Sequence, residues 1–140
     1  MERQLIRGGI AADDEYWRYL ELGEFRLPRC TECKTWMWPA NFRCGECGSW
    51  EQEWIEREMG GQVYSWTRTW YPFEHVEERA EDLPYSIALV EVPDTGGARV
   101  LGMVHGDESA LHVGAKVAGR IEPPSVKSKG YATIVWEVMG

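Results

Sequence analysis

The sequence predicts a mainly β protein with one short N-terminal helix, a cysteine-held ribbon and a five-stranded barrel. Two Cys-x-x-Cys pairs, Cys30 with Cys33 and Cys44 with Cys47, mark the ribbon. After Gly60 the pattern turns to short alternating segments with no helical repeat between them, which marks the barrel. The 140 residues divide into a helical segment at 1–27, the ribbon at 28–59 and the barrel at 60–140.

The helix is expected from Asp13 to Leu22, with Asp13 or Asp14 as its N-terminal cap and Gly23 placed to end it. Tyr16, Trp17, Tyr19 and Leu20 give it an aromatic face. Two uses of that face stand open: packing on the chain's own ribbon or barrel, or anchoring a partner protein.

Each Cys-x-x-Cys pair presents two thiolates from one tight turn, and two such turns facing each other form a tetrahedral sulfur cage suited to structural zinc. Such a cage has no open coordination position, so it organises a fold and does not activate water. Two disulfides would need an oxidising compartment, whereas the opening MERQLIRGGIAADDEYW lacks the apolar core of a secretory signal. Iron of the rubredoxin type uses the same four thiolates, but the short spacing between the knuckles and Lys34 in place of a glycine favour zinc. A redox dithiol would leave the second pair idle. Trp36, Trp38, Phe42, Trp50 and Trp54 surround the knuckles, where rings commonly shield a thiolate cage from water.

In the third segment, residues 62–71 alternate, with Val63, Ser65, Thr67 and Thr69 on one face and Tyr64, Trp66, Arg68 and Trp70 on the other. Further strands are expected at Tyr85 to Val92, Arg99 to His105, Lys116 to Glu122 and Ala132 to Val138. Five strands of this kind point to a small closed barrel of OB type. No internal repeat is evident.

A formal net charge of −8 opposes a nucleic-acid role, because contacts to phosphates need a basic footprint. No apolar run reaches membrane-spanning length, so a cytoplasmic protein is expected. No catalytic constellation is found. His75, His105 and His112 have no spacing to cysteine, serine or carboxylate that would build a relay, and the best placed is His105, two residues before Asp107.

These elements in this order resemble a known family. The helix, Arg29-Cys30, the Trp38-Pro39 step, Cys44 to Ser49, Gly61 to Thr67, Pro84-Tyr85 and Ala88 to Glu91 look like the rubredoxin-like zinc ribbon plus OB-fold proteins long grouped as a domain of unknown function. The resemblance implies an accessory subunit of thiolase-like acyl-CoA enzymes: thiolases, acyl-CoA condensing enzymes or aldolases of steroid side-chain degradation. It implies that a thiolase-fold partner carries the catalysis in a two-plus-two heterotetramer, and that this chain stabilises it or helps form the CoA channel. Acyl-CoA would then lie at the interface. The acidic loop Pro72 to Leu83 would repel CoA phosphates, so any contact would fall to Arg68, Arg120, Lys127 or Lys129. Two other readings are an autonomous acyl-CoA-binding protein and an OB-fold nucleic-acid module stacking bases on Tyr64, Trp66 and Trp70.

Overall fold

The computed structural model describes residues 12–139, apart from the side chain of His75, so residues 1–11 of the helical segment and Gly140 lie outside the description. The chain divides after Glu58 into two compact units.

The first unit opens with helix α1 (Asp14–Glu21), with Asp13 at the N-cap position and Asp14 and Glu15 at the positive end of its dipole. Its other end is closed by a Schellman pair, Glu24 N–H donating to Tyr19 O (2.9 Å) and Gly23 N–H to Leu20 O (3.0 Å). Gly23 supplies the left-handed φ of +85° that this cap requires. Tyr16 and Leu20, four residues apart, share one face and are 3% and 1% exposed. The Tyr16 ring lies 6.3 Å from Phe25 and 4.7 Å from Trp38. The aromatic face is therefore split: Tyr16 and Leu20 are buried in their own unit and cannot anchor a partner, while Trp17 and Tyr19 are half-buried.

Strands β1 (Arg26–Cys30) and β2 (Gln52–Glu56) pair antiparallel, from Arg26 opposite Glu56 to Cys30 opposite Gln52. Across the pair Arg29 Nε donates to Glu53 Oε2 at 2.9 Å. The strand thus delivers Cys30 as its last residue, at a fixed point beneath the first knuckle.

The second unit is a closed barrel of β3 (Gly60–Thr69), β4 (Tyr85–Glu91), β5 (Arg99–His105), β6 (Lys116–Glu122) and β7 (Thr133–Val138). The strand order is β3-β4-β5-β7-β6, with β5 and β7 parallel and β6 closing onto β3 through Gly60 to Gln62. This is the OB arrangement expected. Its core is dominated by Val63, Val90, Val100, Val117 and the fully enclosed Trp136. Glycines on the strands flanking β7 make room for that indole: a Cβ at Gly102 or at Gly119 would lie 2.7 Å from Trp136 ring atoms. At Gly61 a Cβ would fall 2.1 Å from Glu91 O, so only glycine permits the strand to close there.

One expectation about β3 fails. Val63 pairs with Val90 and Ser65 with Leu89, so Tyr64 is an extra residue and the strand bulges. A one-residue insertion reverses every side chain beyond it. Trp66 and Arg68 therefore stand opposite buried Ala88 and Ser86, in phase with Val63, and Ser65, Thr67 and Thr69 take the other face. The acidic stretch expected as a loop contains a 3₁₀ segment, Glu74–Asp82, broken by non-helical backbone at Val76.

Candidate functional site

The two knuckles are built to one plan. In each, the residue after the second cysteine is left-handed, Lys34 at φ +63° and Gly48 at φ +82°. Lys34 N–H donates to Cys30 O and Gly48 N–H to Cys44 O, both at 3.0 Å. Cys30 N–H donates to Thr35 O and Cys44 N–H to Ser49 O, both at 2.8 Å. The repeated unit is Cys-x-Glu-Cys-x-Ser/Thr, a short internal repeat that was legible in the sequence and not recognised there.

The four Sγ atoms lie within 4.8 Å of one another. The nearest pairs, Cys30–Cys47 and Cys33–Cys44, are 3.6 Å apart. A disulfide needs about 2.05 Å. A metal with bonds of about 2.3 Å to four sulfurs at tetrahedral corners sets them about 3.8 Å apart, so the spacing suits a metal cage. Electrostatics agrees. Hydrogen bonds from the side chain and backbone of Thr35 pull Cys33 down to about 6. Cys47 has the Ser49 backbone drawing it down, yet its bond to Cys30, burial and the sulfurs of Cys33 and Cys44 push it up to about 12. Four sulfurs this close do not hold four negative charges unaided, and a cation at their centre would relieve the repulsion. Cys30, Cys33, Cys44 and Cys47 would hold that metal, and its contribution would be folding energy.

Shielding comes from a residue the sequence reading passed over. Met37, 5% exposed, packs with Cys30 and Cys44, whereas Phe42 and Trp50 are exposed and Trp36, Trp38 and Trp54 half-buried. The unbranched thioether fits the irregular gap beside the sulfurs better than a flat ring.

In the barrel unit, each cation expected to meet phosphate is matched to a carboxylate. Arg68 bonds Glu108 Oε1 (2.8 Å) and Ser86 Oγ (3.0 Å). Arg120 lies 3.7 Å from Glu137 and 3.3 Å from His105 Nδ1. Lys127 bonds Asp82 at 2.8 Å and Lys129 bonds Glu78 at 3.1 Å. A shared phosphate cradle is not formed among the four. Of the four, only Lys127 lines a cleft of about 510 Å³ in this unit. Its apolar lining includes Pro84, Tyr85, Met103 and Pro124, with Arg79, Glu108, Glu122 and Lys127 among its polar residues. Arg79 and Glu108 were not singled out from sequence, because only the fold brings the 3₁₀ segment and the turn after β5 to one place.

His105 faces this cleft, with Nδ1 3.7 Å from Glu122 Oε2. Asp107, its sequence neighbour, is instead occupied by Ser109, whose N–H and hydroxyl it accepts at 2.9 and 3.1 Å. His112 Nδ1 donates to Ala110 O at 2.7 Å, and the His75 side chain lies outside the description. The stacking platform of Tyr64, Trp66 and Trp70 is broken by the bulge: Arg99 covers Tyr64 at 3.7 Å and Arg68 covers Trp66 at 5.1 Å. Among the described residues no helix is long and apolar enough to cross a membrane.

Comparison with known proteins places this geometry. The family model described as the ChsH2 C-terminal OB-fold domain matches residues 54–122. A probable enoyl-CoA hydratase alpha subunit of Thermomonospora curvata is 34% identical over 98 residues, which is 68% of this chain and 28% of that protein, so the chain spans little more than a quarter of this relative. A chain of the Ltp2-ChsH2(DUF35) aldolase superposes with a TM-score of 0.78 at 23% identity, covering 94% of this chain and 97% of that one. A DUF35-family protein of unknown function from Sulfolobus solfataricus superposes with a TM-score of 0.61 at 21% identity, covering 91% and 85% of the two chains. With its four-cysteine ribbon ahead of a closed five-stranded barrel, the chain has the DUF35 fold, and its residues 54–122 match the family model of the ChsH2 C-terminal OB-fold domain.

Proposed function

We propose that this chain is a non-catalytic accessory subunit of an acyl-CoA enzyme of thiolase fold that makes or breaks carbon–carbon bonds. The observation that carries the reading is the likeness over nearly the whole chain to the ChsH2 component of an aldolase assembly. The sulfur cage supports it from the chemical side, because a closed set of four thiolates organises structure and offers no position to substrate. The barrel supports it as well. His112 is held by a backbone carbonyl and His105 by an arginine and a carboxylate, partners that do not form a nucleophile relay.

On this reading the thiolase-fold subunit holds the reacting thioester and most of the CoA. Arg68, Arg120, Lys127 and Lys129 each already face a carboxylate, so taking up CoA phosphates would compete with those pairs. The barrel cleft, lined by three carboxylates, two cations and apolar residues, suits at most the neutral middle of the cofactor. Assembly follows the two-plus-two pattern expected of a partner that is itself a symmetric dimer, in the cytoplasm, with zinc in the cage.

The test is reconstitution. The enzyme subunit that co-purifies stoichiometrically is identified by mass spectrometry, and each subunit is assayed alone and mixed for cleavage or condensation of acyl-CoA thioesters. This chain alone should give no turnover, and the enzyme subunit should be inactive or insoluble until this chain is added. Turnover by this chain alone, or full activity of the enzyme subunit without it, would overturn the proposal.

A further inference from the structure

We infer that Trp70, Tyr71 and Phe73, with the carboxylates of Glu74 and Glu77, form a protein-docking surface that seats in an apolar groove rimmed by lysine or arginine on the enzyme subunit. The inference rests on the accessory-subunit reading above and names the surface that reading lacks.

The three rings directly follow β3 and are 69%, 63% and 56% exposed. Other rings of the molecule carry a guanidinium over one face: Trp36 has Arg29 and Arg57 at 5.4 and 5.9 Å, Trp50 has Arg43 at 5.8 Å, Trp66 has Arg68 and Tyr64 has Arg99. Trp70 has neither a cation nor a ring against it among the described residues, and Tyr71 and Phe73 have only each other, at 5.0 Å edge to face. Large rings gathered in one short run and left uncovered are the composition of an interface core.

The mount is firm. On one side β3 fixes the run to the barrel, and on the other the 3₁₀ segment is tied down by Lys127 to Asp82 (2.8 Å) and Lys129 to Glu78 (3.1 Å). Those ties leave the charge of the segment uneven. Glu78, Glu81 and Asp82 answer the two lysines, while Glu74 and Glu77 are exposed and face no cation among the described residues. The acidic flank decides between occupants. A second copy of this chain, itself of net charge −8, would set like charges together, and an anionic membrane would repel the surface. A basic-rimmed groove on another protein complements both the rings and the carboxylates.

The experiment titrates the purified enzyme subunit with the full chain and with four variants, reading Kd and association rate at several salt concentrations. W70S/Y71S should weaken binding by about 30-fold or more, as loss of central aromatic anchors does, whereas W70F should recover most of the affinity. E74K/E77K should slow association about tenfold and reverse its salt dependence. F42S, at an exposed ring on the ribbon, should change Kd less than about twofold. All five substituted positions are exposed, and circular dichroism verifies that each variant is folded. Equal binding by wild type and W70S/Y71S would overturn this surface and leave the accessory reading standing. A wild-type chain that binds no enzyme subunit would overturn both. Self-association of the isolated chain, abolished by W70S/Y71S, would give the surface to a second copy and overturn the inference.

Discussion

Around the sulfurs of the first unit the buried cluster is Cys30, Met37 and Cys44, whereas the second unit encloses a whole indole between glycines of neighbouring strands. The contrast teaches where each unit obtains its order. A ribbon of two five-residue strands buries little apolar surface around its knuckles to set against its chain entropy, so a metal held by the four cysteines would supply the order there. The barrel closes every strand onto another and fills its centre with Val63, Val90, Val100, Val117 and Trp136, so packing alone sustains it. A chain built this way would couple a metal-supported module to a packing-dependent one.

The largest expected effect breaks the first half of that contrast. Cys44→Ser should lose the bound metal and unfold the ribbon, since the binding free energy of a structural zinc, about 10 kcal/mol or more, is folding energy. Metal-to-protein ratio and tryptophan fluorescence check it, and a Cys44→Ser chain with a full metal complement and a native ribbon would end the structural-metal assignment. Next comes the barrel. Trp136→Ala should cost about 3–5 kcal/mol by leaving a cavity between Gly102 and Gly119, measured by urea unfolding, with metal content unchanged.

A smaller effect concerns the tie between the 3₁₀ segment and the loop after β6. Its own backbone N–H, then Lys129, hold the Glu78 carboxyl below its ordinary range. The folded value lies under the unfolded one of about 4.3, so the tie contributes fully above that pH and is lost as pH falls through the folded value. Exchange protection of residues 74–82 should therefore hold from pH 7 to 5 and drop below about pH 4, and Glu78→Gln should flatten that profile. Smallest is Lys34→Gly. A left-handed φ of +63° costs a side-chain-bearing residue about 1 kcal/mol, so glycine there, as at Gly48 in the second knuckle, should stabilise the ribbon by somewhat less than that. Thermal unfolding that shows a loss would mean that the Lys34 bond to Glu53 outweighs the backbone.

Much of the fold was legible because its signals are local. The cysteine spacing, the Asp13 to Gly23 capping pattern and the alternation of the last four strands each lie within a few residues, and the elements formed match to within a residue or two. What escaped depends on partners far along the chain. The bulge at Tyr64 is set by pairing with β4, so alternation counted along β3 put Arg68 and Trp66 on the wrong face. The pairing of Lys127 and Lys129 joins residues 45 and 51 positions apart, and no spacing rule reaches that far. The helix face was legible as apolar, but its division into buried Tyr16 and Leu20 and half-buried Trp17 and Tyr19 needed Phe25 and Trp38 in place. In the candidate site the grouping of the four cysteines was read directly, whereas Thr35, which lowers Cys33, and Met37, which covers the sulfurs, act through geometry alone.

The most direct measurement is hydrogen exchange on the full chain, followed peptide by peptide before and after removal of the metal by a chelator. Protection should vanish from β1 and β2, residues 26–56, and persist through the barrel strands from 60 to 138. Equal loss in both units would contradict the separate sources of order argued here, and undiminished protection of the ribbon without metal would contradict the role given to its cysteines.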